Sequence, residues 1–336
     1  MNITGNKTRI ESKGYYSLGV FKEDGTEVKE KAINNVDNVV TFVGAFELLF
    51  STQTYARALT CKVGNSTTER VRSDTTLGNV VGATSDAAGG SGRSGGGEVD
   101  NLDGTSTLTS SRTFNFGVGA IVGTISEVGM FVSATLVAGQ LIKDEFDAPT
   151  TLTLLSDEQL RVVYTLEFIV PNGEGTMSSI GSGSVTHPRG TSTYEMYGQP
   201  YFSAYGLAQS SPGNRPSRSR SVYGFSSSSG SFKDGFTASS SAASHSHDGA
   251  GNVSVTYTTL SLSPSDYNAT DIKYITVGGG SNDSFAQFFT VDTTTKIIGP
   301  ADQDLTTAAL AVEFSPALEK TNTESFSIQL SIAYTI

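Results

Sequence analysis

Residues 159–171 read QLRVVYTLEFIVP, a stretch rich in β-branched and aromatic side chains that contains segments with a period of two. This pattern is typical of a half-buried β-strand, and Pro171 is a suitable end because proline donates no hydrogen bond to a sheet. The stretch 325–336 reads SFSIQLSIAYTI and alternates strictly. Its alternating apolar positions are Phe326, Ile328, Leu330 and Ile332. Both stretches favour an all-β fold.

The same pattern recurs on both sides of a long polar region. Residues 113–155 are rich in β-branched and aromatic residues, and the β pattern resumes at Val253. We predict tandem antiparallel β-sandwich domains with long Gly/Ser-rich loops. The predicted division is an N-terminal sandwich over residues 1–171, a Ser/Gly/Tyr-rich region over 172–252 and a C-terminal sandwich over 253–336.

The region 172–252 has two interpretations. Its segments, such as GSGSVTHPRG and SSPGNRPSRSRS, look like loops, and long loops tied to the domain surface by aromatic anchors would explain them. An assembly arm, whose aromatic side chains are buried only against a neighbouring chain, explains them equally well. The candidate assembly residues are Tyr194, Tyr197, Tyr201, Tyr205 and Tyr223.

Two local signals lie near the start of the chain. Asp24-Gly25 separates an apolar run from a polar one and predicts a tight hairpin turn, because glycine tolerates a positive φ. The apolar residues of FVGAFELLF fall on one helical face and predict one short helix, capped by Asn38 or Thr41. The residues of that face are Phe42, Phe46, Leu49 and Phe50.

Charge and composition exclude several classes. The chain has a net charge of −11, whereas phosphate binding needs clustered Lys and Arg, so nucleic acid is not an expected partner. The basic cluster of Arg215, Arg218 and Arg220 is either a solvated loop or a salt-bridge contact to an acidic neighbour. The single cysteine, Cys61, is expected to be a small buried hydrophobe. No apolar run is long enough for a membrane-spanning helix, and we expect no signal peptide.

Candidate chemistry in the sequence is weak. GVGAIVG at 117–123 is one residue too long for a dinucleotide loop, and a predicted strand follows it instead of a helix. The acid doublets Asp144-Glu145 and Asp157-Glu158 would point to opposite faces of a strand, so neither forms a facing catalytic pair. No nucleophile can be placed beside a base. We therefore expect neither catalysis nor a cofactor.

The histidines offer one candidate metal site. His245 and His247 are separated by one residue, which in an extended segment puts both imidazoles on one side. Two ligands do not complete a site, but three-fold symmetry would supply six nitrogens around one axial ion. Two exposed histidines in a Ser/Gly loop are the simpler interpretation. His187, in a loop before Pro188, has no expected role.

One further position is notable. Glu127 lies in a predicted strand between apolar residues, so we expect it to face a polar edge or a partner chain. Gly129 is expected to permit a bulge or a close approach of the backbone.

Three segments resemble tail and appendage proteins of tailed bacteriophages. They are KVGNSTTERVRSDTTLG at 62–78, GTISEVGMF at 123–131 and LIKDEFDAPTTLTLLSDEQLRVVYTLEF at 141–168. Their order and spacing are similar to a recurrent pattern in those proteins, with Met130 where leucine is usual. The resemblance covers about residues 35–170, and the second half of the chain matches less clearly.

The resemblance implies a non-enzymatic structural protein of the virion, assembled in the host cytoplasm, in the tail, a tail fibre or a tail-attached appendage. Its expected partners are copies of itself, with a homotrimer favoured, and other virion structural proteins. A glycan of the host surface is a further candidate. The alternatives are a capsid-surface decoration protein or head fibre, and a tailspike that binds or degrades host glycan.

Overall fold

The computed structural model describes residues 2–5, 7–50, 59–85, 95–103, 105–171, 178–198, 222–226, 244–262, 270–278, 308–320, 323 and 325–336. Within these residues the chain is mostly β-strand, which confirms the prediction of an all-β, sandwich-like fold. One α-helix, α1 (Phe42–Phe50), and one 3-10 turn (Lys29–Lys31) occur in the described part. No helix there is long and apolar enough to cross a membrane.

The strands are given in chain order. The first eight are β1 (Asn2–Thr4), β2 (Thr8–Arg9), β3 (Glu11–Lys22), β4 (Ile33–Val40), β5 (Leu59–Gly64), β6 (Val80–Thr84), β7 (Gly95–Asp100) and β8 (Thr105–Asn115). The next seven are β9 (Gly123–Ile125), β10 (Glu127–Val132), β11 (Thr135–Leu141), β12 (Leu152–Leu154), β13 (Glu158–Pro171), β14 (Ser178–His187) and β15 (Gly190–Gly198). The last six are β16 (Val222–Ser226), β17 (Ser244–His247), β18 (Asn252–Leu262), β19 (Thr270–Gly278), β20 (Ala308–Lys320) and β21 (Phe326–Thr335).

A nine-stranded sheet in the order β6-β5-β10-β11-β4-β3-β13-β8-β7 forms the first sandwich. The sheet curls back on itself, which brings β6 close to β8. The hydroxyl of Thr84 on β6 donates to the carbonyl of Asn115 on β8 at 2.9 Å. The hydroxyl of Tyr16 on β3 also crosses the interior, donating to the carbonyl of Leu141 at 2.7 Å. β9 and β12 form a separate two-stranded sheet.

The core lies between the two layers of this curled sheet. The predicted alternation in β13 is confirmed, since every second side chain from Leu160 to Val170 is buried. Cys61 is fully buried, as predicted, and burial raises the pKa of its thiol above the ordinary value. β13 ends at the predicted stop, Pro171.

The two local predictions near the start of the chain are also confirmed in outline. Gly25 has a φ of 84°, and the N–H of Lys22 donates to the carbonyl of Thr26 at 2.8 Å, as a tight turn requires. Thr41, not Asn38, caps α1: its hydroxyl accepts the N–H of Gly44 at 2.9 Å. Asn38 is a buried residue of β4.

Two five-stranded sheets make up the rest of the described chain. One has the order β14-β15-β20-β19-β16, and the other the order β1-β21-β18-β17 with β2 also on β21. The loop predicted for GSGSVTHPRG is wrong over residues 181–187, which lie in β14 and pair with β15. Small residues can form this strand because the Tyr194 ring on β15 covers Gly183, which has no side chain to pack.

The N-terminal strands cross from one region to the other. β1 and β2 both pair in parallel with β21, near the other end of the chain. β1 and β2, which the sequence places in the first sandwich, therefore pair with a strand of the C-terminal region.

Candidate functional site

Glu127 is the centre of a buried polar cluster. It is fully buried on β10, and its Oε1 accepts the backbone N–H groups of Asn79 at 2.9 Å and Ser66 at 3.3 Å. Its Oε2 accepts the N–H of Gly78 at 3.1 Å. A carboxylate removed from water needs such partners, since an unsatisfied buried charge is strongly destabilising.

Arg70 supplies the opposite charge. Its Nε lies 4.0 Å from Oε2 of Glu127, and the arginine is only 8% exposed. The guanidinium also donates to the carbonyls of Thr68 at 2.6 Å and Thr76 at 3.3 Å. We call Glu127, Arg70 and the N–H groups of Ser66, Gly78 and Asn79 the Glu127 cluster. It holds the polar loop 65–79 against the sheet.

Leu77 fixes the same loop through apolar contacts. It forms a small buried cluster with Phe131 and Leu136. Beneath Leu77, Gly129 on β10 stands opposite Gly139 on β11. A Cβ at Gly129 would lie 2.8 Å from Leu136 Cδ1 and 3.0 Å from Leu77 Cδ2, so side chains, and not the backbone approach that the sequence predicts, crowd this glycine.

The prediction for Glu127 itself is wrong. The sequence places it at a polar edge or against a partner chain, whereas the structure buries it beneath a loop of its own chain. The missed residue is Arg70, which supplies the opposite charge. The signal in the sequence is the acid itself, because a glutamate in a strand with apolar neighbours must find hydrogen-bond donors.

The acid doublets serve structural roles. Glu158 has a side chain only 3% exposed, and its carboxylate lies 2.7 Å from Lys31 Nζ and accepts the N–H of Leu155 at 2.8 Å. Burial alone would raise the pKa of Glu158, but these hydrogen bonds and the Lys31 charge together hold it below the ordinary value. Asp144 Oδ1 accepts the N–H groups of Phe146 and Ala148 in a turn.

The glycine-rich segment 117–123 leads into a strand. It contains a turn and is followed by β9, as the sequence predicts, so it lacks the helix N-terminus that a dinucleotide loop uses to bind phosphates. Its valines, Val118 and Val122, are exposed.

The candidate metal ligands lie on one strand, β17. The His247 ring is 4.4 Å from the Phe46 ring of α1, and its Nδ1 accepts the N–H of Gly249 at 3.2 Å. The His245 side chain lies outside the described residues. Among those residues no group of three His, Cys, Asp or Glu side chains could hold a metal ion. The axial site at His245 and His247 requires neighbouring copies and stays a prediction.

Of the candidate assembly tyrosines, one has a described side chain. Tyr194 is 9% exposed, and a Cβ at Gly183 would lie 2.7 Å from its hydroxyl oxygen, so its ring packs on its own sheet. The other side chains lie outside the described residues: Tyr197 on β15, Tyr223 on β16, Tyr201 and Tyr205. Their role in assembly stays a prediction.

A polar groove of about 480 Å³ lies beside Tyr194. Glu195 on β15 stands directly opposite Glu313 on β20 in this groove, an arrangement in which like charges repel. The hydroxyl side chains that line it are Ser182, Ser184, Thr193 and Ser315. The groove is therefore lined by two carboxylates and by hydroxyls, of which that of Thr193 donates to the Ser315 carbonyl at 2.7 Å.

Comparison with known proteins identifies no relative. No family model matches the chain, no curated protein matches it and no solved structure matches it.

Proposed function

We propose that this chain is a non-enzymatic structural component of a tailed-bacteriophage virion, placed in the tail, a tail fibre or a tail-attached appendage. The proposal starts from the resemblance of segments 62–78 and 123–131 to such proteins. One observation supports it: these two segments meet in the Glu127 cluster. Arg70 from the first lies beside Glu127 from the second, and Leu77 packs over Gly129.

This contact gives a physical reason for the two segments to occur together in this chain. Residues of the two segments lie about 50 positions apart, yet each loses its partner if the other segment changes. The shared pattern is thus a requirement of packing, since a buried carboxylate and its donors must be kept together. A pattern that packing accounts for supports the proposal of a structural module.

The chain works through assembly. Its partners are further copies, with a homotrimer favoured, and other virion structural proteins, brought together in the host cytoplasm. In a trimer, His245 and His247 from three chains would surround one axial metal ion.

Imaging of the intact particle tests this proposal. Electron cryomicroscopy of virions that carry the chain should show density for the curled nine-stranded sandwich in the tail or its appendages. Density on the capsid surface would instead favour the runner-up, a decoration protein or head fibre. Absence of the chain from purified particles would refute a virion role altogether.

The polar groove favours a second candidate, a tailspike that binds or degrades host glycan. Carboxylates and hydroxyls, such as those of Glu195, Glu313 and Ser184, are side-chain types that hydrogen-bond to sugars. Incubation of the protein with capsule or lipopolysaccharide tests degradation through chain shortening. Shortening that disappears in Glu195→Gln and Glu313→Gln, and persists in the exposed control Glu145→Gln, would replace the non-enzymatic proposal.

A further inference from the structure

One edge of β21 is covered by residues 2–9, which we call the arm. β1 and β2 lie one after the other along this edge, from Asn2 opposite Gln329 to Arg9 opposite Thr335. An uncovered strand edge presents unpaired N–H and C=O groups to any other strand. The arm therefore occupies a position that another extended segment of the same sequence would fit equally well.

The described side chains of the arm add little to its attachment. All of them are exposed except that of Thr8, which is half-buried. The remaining side chains, those of Ile3, Thr4 and Asn6, lie outside the described residues. Detachment of the described part exposes little apolar surface to water and breaks backbone hydrogen bonds at the edge of a sheet. Such an element is among those that open most easily.

The strand that receives the arm is held much more firmly. Leu330 and Tyr334 on β21 are fully buried, and Ile332 is 4% exposed. On its other side, β21 pairs with β18 from Phe326 to Thr335. The edge of β21 therefore stays in place when the arm leaves. A second arm would meet the same row of N–H and C=O groups in the same register.

One side-chain contact also ties the arm to the turn that leads into β18. The ammonium group of Lys7 donates to Oδ1 of Asn252, and Nδ2 of Asn252 donates to the Asp248 carboxylate. Hydrogen bonds from Asn252 and from backbone N–H groups lower the pKa of Asp248 to about 2, so the carboxylate is charged at neutral pH and keeps the Asn252 amide oriented. Loss of the Lys7 contact loosens the arm and leaves the β21 edge unchanged.

The residue after the arm limits how far the arm can reach. Ile10 is 2% exposed in the core, and its N–H donates to the carbonyl of Thr335 at 2.7 Å. A detached arm is anchored at Ile10, and its eight residues span at most about 28 Å when fully extended. A second copy can receive the arm only when its β21 lies within that distance, as between neighbours in a compact ring of subunits.

We infer that the arm of one copy exchanges with the arm of a second copy and pairs with that copy's β21, in the register that one chain shows. Both arrangements make the same hydrogen bonds, so exchange costs little once copies are held close together. Each exchanged arm then links two subunits. The inference rests on the proposed assembly of copies and deepens it by naming the linking element.

Two single-cysteine variants of the full chain test the exchange. Asn2→Cys in one chain and Gln329→Cys in another place thiols at positions that stand opposite each other in the strand pair. The native Cys61 is fully buried and stays out of the reaction. The two variants are mixed, incubated and oxidised, and chains joined by a disulfide are counted on a non-reducing gel. Asn2→Cys mixed with Glu145→Cys, at an exposed residue of the turn after β11, is the matched control pair.

Exchange predicts at least about tenfold more linked chains from the first pair than from the control pair, because pairing raises the effective concentration of the two thiols. A double variant, Asn2→Cys with Gln329→Cys, should link within one chain in dilute solution and between chains at high concentration. The link within one chain also verifies the register.

Removal of the Lys7 contact provides a kinetic test. Lys7→Ala in both chains of the first pair should speed linking by about threefold to tenfold, because the arm detaches more easily without this hydrogen bond. Circular dichroism and melting temperature check that all variants fold.

Three results would overturn the inference. They are a first pair that links no more than the control pair, a double variant that links only within one chain at every concentration, and a rate of linking that Lys7→Ala leaves unchanged. None of these decides whether the chain is in the virion, which particle imaging tests separately.

Discussion

The carboxylate of Glu127 accepts the backbone N–H of Asn79 at 2.9 Å, across 48 positions of the chain. With Gly78 and Ser66 as further donors, this one side chain replaces water for three N–H groups of a polar loop. The loop and β10 therefore stabilise each other, so a substitution that destabilises one of them should destabilise the other.

Replacement of Glu127 tests this dependence. Glu127→Gln turns one acceptor into an N–H₂ donor that faces other donors, and we expect a loss of about 2–3 kcal/mol in unfolding free energy. Glu127→Ala leaves the three N–H groups without an acceptor and leaves Arg70 with only the Asp74 carboxylate, at 3.7 Å, so it should cost about 3–5 kcal/mol. Urea unfolding measures both, with Glu145→Gln as the exposed control. Hydrogen exchange at residues 65–79 should accelerate, and unchanged exchange there would contradict the role of the carboxylate.

The glycine pair gives a second prediction. Gly129→Val puts branched carbons where Leu136 and Leu77 already lie within 3.0 Å of a Cβ, and should cost about 1–3 kcal/mol and lower the yield of folded protein. Adding Leu77→Ala should recover part of that loss, because it removes one of the clashing side chains. Gly117→Ala, at an exposed glycine where a Cβ meets nothing closer than 3.9 Å, is the control. Equal melting temperatures for Gly129→Val and wild type would refute the close contact.

Two buried tyrosines form a matched pair. Tyr16 donates to the Leu141 carbonyl and accepts the N–H of Lys143 at 3.2 Å, whereas the Tyr164 hydroxyl finds no hydrogen-bond partner among the described residues. Tyr16→Phe should therefore cost about 1–3 kcal/mol, while Tyr164→Phe should be neutral or stabilising. Thermal unfolding of the two variants measures both changes in stability. A greater loss at Tyr164 than at Tyr16 would show that the Tyr164 hydroxyl has an essential partner.

The ion pair of Lys31 and Glu158 predicts that the free energy of unfolding depends on pH. The pKa of Glu158 is lower in the folded than in the unfolded chain, so its stabilisation is complete above the ordinary carboxyl pKa and is lost as pH falls through the folded value. Lys31→Met removes the charge that keeps this pKa low. The variant should be less stable than wild type by about 1–3 kcal/mol near neutral pH.

That difference should shrink as pH falls from about 7 to about 3, because protonated Glu158 no longer needs the lysine. Urea unfolding across this range measures it. Lys29→Met, an exposed lysine of the same 3-10 turn, should show no such trend. A difference that stays constant with pH would mean that Lys31 acts through packing alone.

Local patterns in the sequence predict much of the fold. The alternation in 159–171 identifies β13, and the polar cap before an apolar face identifies α1, because both signals depend on neighbours in the chain. The sequence does not predict the strand at Ser178–His187, since its Gly and Ser residues carry no apolar signal and its support comes from Tyr194 across the sheet. Such cross-strand support is not visible in a single strand's pattern.

The candidate site was harder to predict for the same reason. Glu127 was recognised as unusual, but its donors lie in a loop about 50–60 positions earlier, and backbone N–H groups have no sequence signature. Arg70 could have been proposed as its counter-charge. Nothing in the residue types, however, fixes which of the chain's acids an arginine will meet.

The pairing of β1 with β21 sets an order of events during synthesis. Asn2 is synthesised 327 positions before its partner Gln329. At about 5–20 residues per second, β1 waits for tens of seconds before it can join its sheet. The nine-stranded sandwich can close in that interval, but the C-terminal sheet cannot be completed. A chain that terminates before β21 therefore leaves β1 without the strand with which it pairs.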